Sequence, residues 1–330
     1  MIGYIVRRLF SALLVVIATS MIVFAIFFLG PSNAASYICN QNGHCTAQKL
    51  ELLNHQMGFD RSVVYEYGIW AKGIFVDRTV EMGGTFKCPA PCLGISFVTK
   101  TPVRSELTSK YPATLSLAIG GASLYLFLGV VTGVLSARKR GTLMDRALVG
   151  STLVISSIPY YLAALLAWLF LVNQWHIFSE TTYTPLTSDP AKWFAGLVLP
   201  WLVLGFFNAT QYARFSRGAM VDTLSEDFTR TATAKGVSTF KVTFKHALRA
   251  AIVPIITIFG LDFASLLAGT IFTEYIFGID GIGNWGLRAI TSKDFPIIAA
   301  TVLVASVLVV LGNMVVDILY SFLDPRVRLV

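Results

Sequence analysis

The sequence predicts an all-α fold: a polytopic membrane bundle of six transmembrane helices, N-terminus and C-terminus inside, with an extracytoplasmic subdomain between spans 1 and 2. Three observations carry this prediction. The 330 residues are 55% hydrophobic and only 13% charged, with a mean hydropathy of +0.68, whereas about a quarter of a soluble domain is charged. Six apolar runs approach or exceed the roughly 20 residues that cross a hydrocarbon core as helix. The basic residues gather in alternate connecting segments, as membrane orientation requires. A water-soluble globular protein is excluded on these grounds.

The first run, residues 9–29, is too long for the apolar region of a signal peptide, and Pro31-Ser32-Asn33 is a poor cleavage site, so it is read as a retained helix. The other runs are residues 113–137, 147–173, 194–213, 251–273 and 296–319. Pro159 and Pro200 lie inside two of them, where neighbouring helices can satisfy the carbonyls that proline frees. With the N-terminus inside, the inner segments hold 15 basic and 5 acidic residues, including Arg7, Arg8, Arg138, Lys139, Arg140, Arg326 and Arg328. The outer segments hold 11 of each. The net charge of +8 therefore follows from membrane orientation and calls for no nucleic-acid partner.

Residues 1–29 form the N-terminal segment and first span, residues 30–111 an extracytoplasmic loop, and residues 112–330 a core whose cytoplasmic loop is residues 214–250. The outer loop is too long for a plain connector. Helical spacing at Leu50, Leu53 and Met57, and again at Val64, Tyr67, Ile69 and Trp70, predicts a small ordered subdomain. All four cysteines, Cys39, Cys45, Cys88 and Cys92, lie in it. Outside the cell membrane they can form disulfides in any of three connectivities. A metal site is the alternative, since His44 neighbours Cys45, but the spacings fit common zinc patterns poorly.

The segment between the fourth and fifth spans is basic, polar and helix-forming. Thr223-Leu-Ser-Glu226 has the pattern of a capping box. Gly236 suits the left-handed end of the short helix that follows, and Ser238 can cap a second. In that second helix Phe240, Phe244, Ala247, Leu248 and Ala251 share one face, and Lys241, Lys245 and Arg249 another. Pattern alone leaves two readings open: an interfacial helix among lipid headgroups, or an element that docks on a soluble partner.

The stretches ARFSRGAM, EDFTRTATAKGVS and KHALRAAIVP resemble the signature loop of ATP-binding-cassette importer permeases. YPATLSLAI, SSIPYYLAALL, TEYIFGIDGIG, DFPIIAA, LYSFLDPRVR and MGFDRSVVYEYGIW resemble other parts of the same family, in order along most of the chain. The loop lacks the family's usual glutamate, reading Arg230-Thr231-Ala232 before Gly236, which is similar to the branch for dipeptides, oligopeptides and nickel. The large loop after span 1 resembles that of the first of the two paired permeases. The cysteine region looks like an insertion, and Asp280-Gly281 stands where the family usually has Pro-Gly.

The resemblance implies a permease in the bacterial inner membrane that imports di- or oligopeptides. It implies as partners a second homologous permease, two cytoplasmic ATP-binding subunits and an extracytoplasmic substrate-binding protein. Nickel, haem or another small ligand is the alternative cargo, and a channel, secondary transporter or membrane sensor the alternative class. No GxxxxGK[ST] motif and no catalytic triad occurs in the chain, so ATP and magnesium are expected in the partner ATPases and no cofactor or metal in this chain. The resemblance assigns ATPase coupling to Glu226, Asp227, Arg230, Thr231, Ala232, Ala234, Lys235 and Gly236. Ionisable residues inside spans are functional candidates by default. Asp262 is therefore a candidate for the translocation pathway, or a partner for a basic side chain, and Glu274 for an outer gate, or a helix cap or ion pair.

Overall fold

A computed structural model describes residues 2–30, 34–41, 45–82 and 84–323. His44 and the basic residues Arg326 and Arg328 lie outside the described residues. The chain divides into two compact units, Met1–Thr114 with Asp280–Val310, and Leu115–Ile279 with Leu311–Val330.

The first unit holds α1 (Ile2–Leu29), α2 (Ala34–Gln41), α3 (Ala47–Met57), α4 (Val63–Gly73) and the antiparallel pair β1 (Arg78–Glu81) and β2 (Thr85–Cys88). Thr46 and Ser62 cap α3 and α4 by accepting from the Lys49 and Tyr65 amides, and Gly58 closes α3 at φ +77°. Its core is aromatic. The Phe24 ring lies 4.6 Å from Phe295 and 5.1 Å from Trp70, and Trp70 Nε1 donates to the Leu93 carbonyl. Leu50, Leu53, Met57 and Tyr67 pack there as their spacing predicts, while Val64 is exposed. Both disulfides are local, Cys39–Cys45 and Cys88–Cys92.

Asp294 is buried in this unit and accepts from Ser96 Oγ at 2.5 Å and from the Phe97 and Val98 amides. Burial raises its carboxyl above the usual range even though these donors favour the charged form. Asp280 accepts from Lys110 Nζ at 2.6 Å and from Arg288. That pairing gives a physical role to an aspartate where the resembled family has proline.

The second unit is built around α8 (Pro190–Ser225), the continuation of the long α5 (Val103–Arg138), and α11 (Leu248–Ala268). Helices α5 and α8 approach closely at Gly133. A Cβ there would stand 2.6 Å from the Ala213 carbonyl oxygen and 2.8 Å from the Arg217 nitrogen, the close backbone contact that small residues permit between membrane helices.

Among the described residues, five helices are long and apolar enough to cross a membrane, and a bent pair raises the number to six. That pair covers the predicted third span, residues 147–173, and breaks it at Pro159. Helix α6 (Leu143–Ser157) and α7 (Tyr160–Ala167), which continues as a wide π-helical turn over Trp168–Gln174, meet at 88°. Pro159 lacks an amide donor and drives Ile158 out of the helical region, to φ −85°, ψ 127°. By contrast, Pro200 and Pro254 sit within continuous helices. The fifth helix also stops short of its predicted end at residue 273. It ends at Ala268, because Gly269 adopts φ +138°, ψ 134°, and α12 (Ile271–Ile276) starts afresh.

Candidate functional site

The segment that follows the fourth predicted span begins with a correction. Helix α8 runs straight through Thr223 to Ser225, and the Thr223 hydroxyl donates back to the Ala219 carbonyl, so Thr223 caps nothing. The chain turns at Glu226, whose backbone is extended at φ −69°, ψ 151°, and α9 (Asp227–Ala234) follows. Its end is closed as the sequence predicts. Gly236 has φ +79°, its amide donates to the Thr233 carbonyl, and the Val237 amide donates to the Ala232 carbonyl. This is the Schellman arrangement, which satisfies carbonyls that a helix end leaves open.

Thr229 anchors α9. It is buried, and its hydroxyl lies 2.7 Å from the Glu226 carbonyl and 2.9 Å from that of Leu224. Everything around it points outward. The Asp227 side chain is 99% exposed and that of Arg230 71%. Glu226, Thr231, Ala234, Lys235 and Gly236 are exposed too, and Ala232 is partly covered. Phe228 and Phe240 add exposed aromatic surface. The structure thus collects the eight predicted coupling residues on one short projecting element.

Beyond Ser238, α10 (Thr239–Lys241) leads into a π-helical turn over Val242–Ala247 before α11. The wide turn shifts the register of the predicted apolar face. Ala247 and Ala251 are buried, whereas Phe240 is exposed and its ring lies tilted against Phe244 with ring centres 4.6 Å apart. The Ser238 side chain makes no capping bond.

A buried cluster at the same end was not singled out in the sequence. Arg217 clamps Asp145 with two 2.8 Å bonds, Nε to Oδ1 and Nη2 to Oδ2. Ser136 Oγ donates to Oδ1 at 2.5 Å and the Gly141 amide to Oδ2 at 2.9 Å. The cluster ties α5, the turn after it, α6 and α8 together. Thr142-x-x-Asp145 is a legible capping pattern, and Thr142 does accept from the Asp145 amide. Nothing in that pattern identifies Arg217 as the partner.

The two predicted pathway residues have separate surroundings. Asp262 on α11 accepts from the Tyr212 hydroxyl at 2.7 Å, so a tyrosine stands where the sequence reading allowed a basic side chain. Glu274 is fully buried and accepts from the Thr270 hydroxyl at 3.1 Å and, more weakly, from the Thr270 amide. Those contacts hold the carboxylate against Thr270, the residue before α12.

Thr270 also borders a cavity of about 720 Å³, which opens where the two helix breaks face α8. Its wall combines Ser156, Pro159 and Tyr160 with Asn208, Gln211 and Arg214, and with Gly269 and Thr270. The Tyr160 and Thr273 hydroxyls meet at 2.6 Å and join the two broken segments. An open, partly polar cavity between membrane helices suits passage or transient binding of a polar solute.

Comparison with known proteins bears on the whole chain. Residues 129–329 match the family described as "binding-protein-dependent transport system inner membrane component", and residues 1–118 match its N-terminal counterpart. A Sinorhizobium fredii protein named a probable peptide ABC transporter permease is 33% identical over 98% of this chain and 99% of its own length. The dipeptide transport system permease protein DppB of Escherichia coli is 30% identical over 99% of each chain. Among solved structures, the inward-facing methionine ABC transporter MetNI shares the fold with a TM-score of 0.54 at 17% identity, over 67% of this chain and 97% of that one.

Proposed function

Because the chain belongs to the family of binding-protein-dependent transport system inner membrane components, multi-pass permease components of ABC transporters, we propose that it forms half of the translocation pathway of an importer for di- or oligopeptides. The names of its relatives support the peptide cargo. A second homologous permease supplies the other half. Two cytoplasmic subunits bind and hydrolyse ATP with magnesium, and an extracytoplasmic binding protein delivers the peptide to the outer subdomain, where the segment around Cys88–Cys92 lies. This chain performs no chemistry itself.

The observation that carries the reading is α9, a short helix rooted by buried Thr229 and otherwise presented outward. It is too polar to bury among lipid tails, and its exposed Phe228 offers an apolar contact to a partner. In the proposed mechanism α9 seats in a groove of an ATPase subunit. Closure of the ATPase pair on ATP displaces it, and α8 and α11 carry the displacement into the bundle. The two states of the bundle are thereby biased by a ligand bound elsewhere, as coupling requires.

The test is purification from native membranes through a tag on this chain, followed by ATPase assay. A second permease and ATPases should co-purify, and peptide with binding protein should stimulate hydrolysis. A chain that purifies alone and hydrolyses no ATP in any fraction would sink the proposal.

A further inference from the structure

Asn208, Gln211 and Arg214 recur at three-residue steps on α8, so they form one polar row on a membrane helix. All three line the cavity of about 720 Å³. The row ends in a permanent cation. Arg214 Nη1 reaches the Thr152 carbonyl at 3.5 Å and Ser156 Oγ at 3.4 Å, both at the long limit of a hydrogen bond. Among the described residues no carboxylate pairs with it.

Arg217, three residues on, supplies the contrast. It is fully matched by Asp145, which is how this fold neutralises an arginine with a structural role. A guanidinium left without an anion beside a cavity, at the inner end of the run 194–213, is arranged for a ligand that brings one. The rest of the wall narrows the ligand. The amides of Asn208 and Gln211 suit peptide groups, and Phe207, Leu266 and Phe272 suit apolar side chains.

We propose that Arg214 binds the terminal carboxylate of a peptide in transit, with Asn208 and Gln211 holding the adjoining peptide groups. This rests on the peptide-importer reading above and adds a residue that reads one end of the cargo. Arg214 stands eleven residues, or about 16 Å, before the end of α8. The rival source of an anion is a phospholipid headgroup.

The experiment uses the whole transporter in nanodiscs of zwitterionic lipid, without binding protein, so that selection by that protein does not intervene. Two photoreactive probes are compared: alanyl-p-azidophenylalanine as the free acid, and the same dipeptide as its C-terminal amide. Labelled sites are mapped by mass spectrometry. The acid is expected to label residues 204–214 and 266–273 about tenfold more than the amide, the worth of one charge-assisted hydrogen bond. Arg214→Gln should abolish that preference and Arg214→Lys should keep most of it. Equal labelling by the two probes in the unaltered chain overturns the proposal, and this comparison needs no variant to fold. A preference that survives Arg214→Gln overturns it too. So does an equal fall for both probes, which points to packing or to lipid. Uptake of Ala-Phe by the unaltered complex with its binding protein is measured alongside. No uptake means that the peptide reading itself fails; uptake without a labelling preference removes only the Arg214 assignment.

Discussion

Asp145 and Arg217 illustrate how a charge is tolerated inside this bundle. The carboxylate receives four hydrogen bonds, two from Arg217, one from Ser136 and one from the Gly141 amide. Burying either ion alone is costly, but together they satisfy each other. Arg217→Gln should therefore lower the stability of the assembled protein by about 3 kcal/mol, because it leaves Asp145 buried without its counter-ion. The double variant Asp145→Asn with Arg217→Gln should regain part of that loss. Thermal unfolding of the purified transporter checks both; a single variant as stable as the parent would show that the clamp carries no net stability. At this scale the sequence was a poor guide. Arg217 and Asp145 are 72 positions apart, and in the sequence they read only as two of many inner charges. Asp262 was legible as an unusual carboxylate, but Tyr212 as its donor was not.

Local elements were legible wherever the backbone itself demands a residue type. Gly236 is such a place, since φ +79° with open space around it asks for glycine on conformational grounds alone. Gly236→Val should strain the end of α9 by about 1–2 kcal/mol without disturbing the core. ATP hydrolysis by the complex should persist while its stimulation by peptide and binding protein falls severalfold. Stimulation at the parental level would show that the geometry of this corner is not part of coupling. The disulfides give a second test. Each closes a short loop, so its chain-entropy contribution is only about 2 kcal/mol. Removing Cys88–Cys92 by double serine substitution should loosen the outer subdomain by about that amount, read as faster amide exchange in β1 and β2 and slow exchange retained in α8. Pattern reading failed where helices depart from the α period. The π turn over Val242–Ala247 moved Phe240 off its predicted face, and a local pattern carries no sign of that extra residue.

For the whole molecule, the bias of Lys and Arg predicts the orientation of every span and a cytoplasmic α9. A single cysteine substituted for exposed Lys235 should react with a membrane-impermeant maleimide in inside-out vesicles and not in right-side-out ones. The native cysteines, paired as disulfides, supply a silent background. Labelling from the outside would invert the topology and remove the coupling reading with it. The fold class and the α9–Gly236 corner were legible in the sequence alone, because hydropathy and backbone sterics are properties of short stretches of chain. Only the tertiary structure decided that the third span breaks by 88° at Pro159 while Pro200 and Pro254 stay within helices. It alone paired Arg217 with Asp145 while leaving Arg214 facing a cavity without a carboxylate. Whether a proline kinks a helix, and whether a charge finds a partner, depends on which distant segments pack beside it, and no local pattern records that.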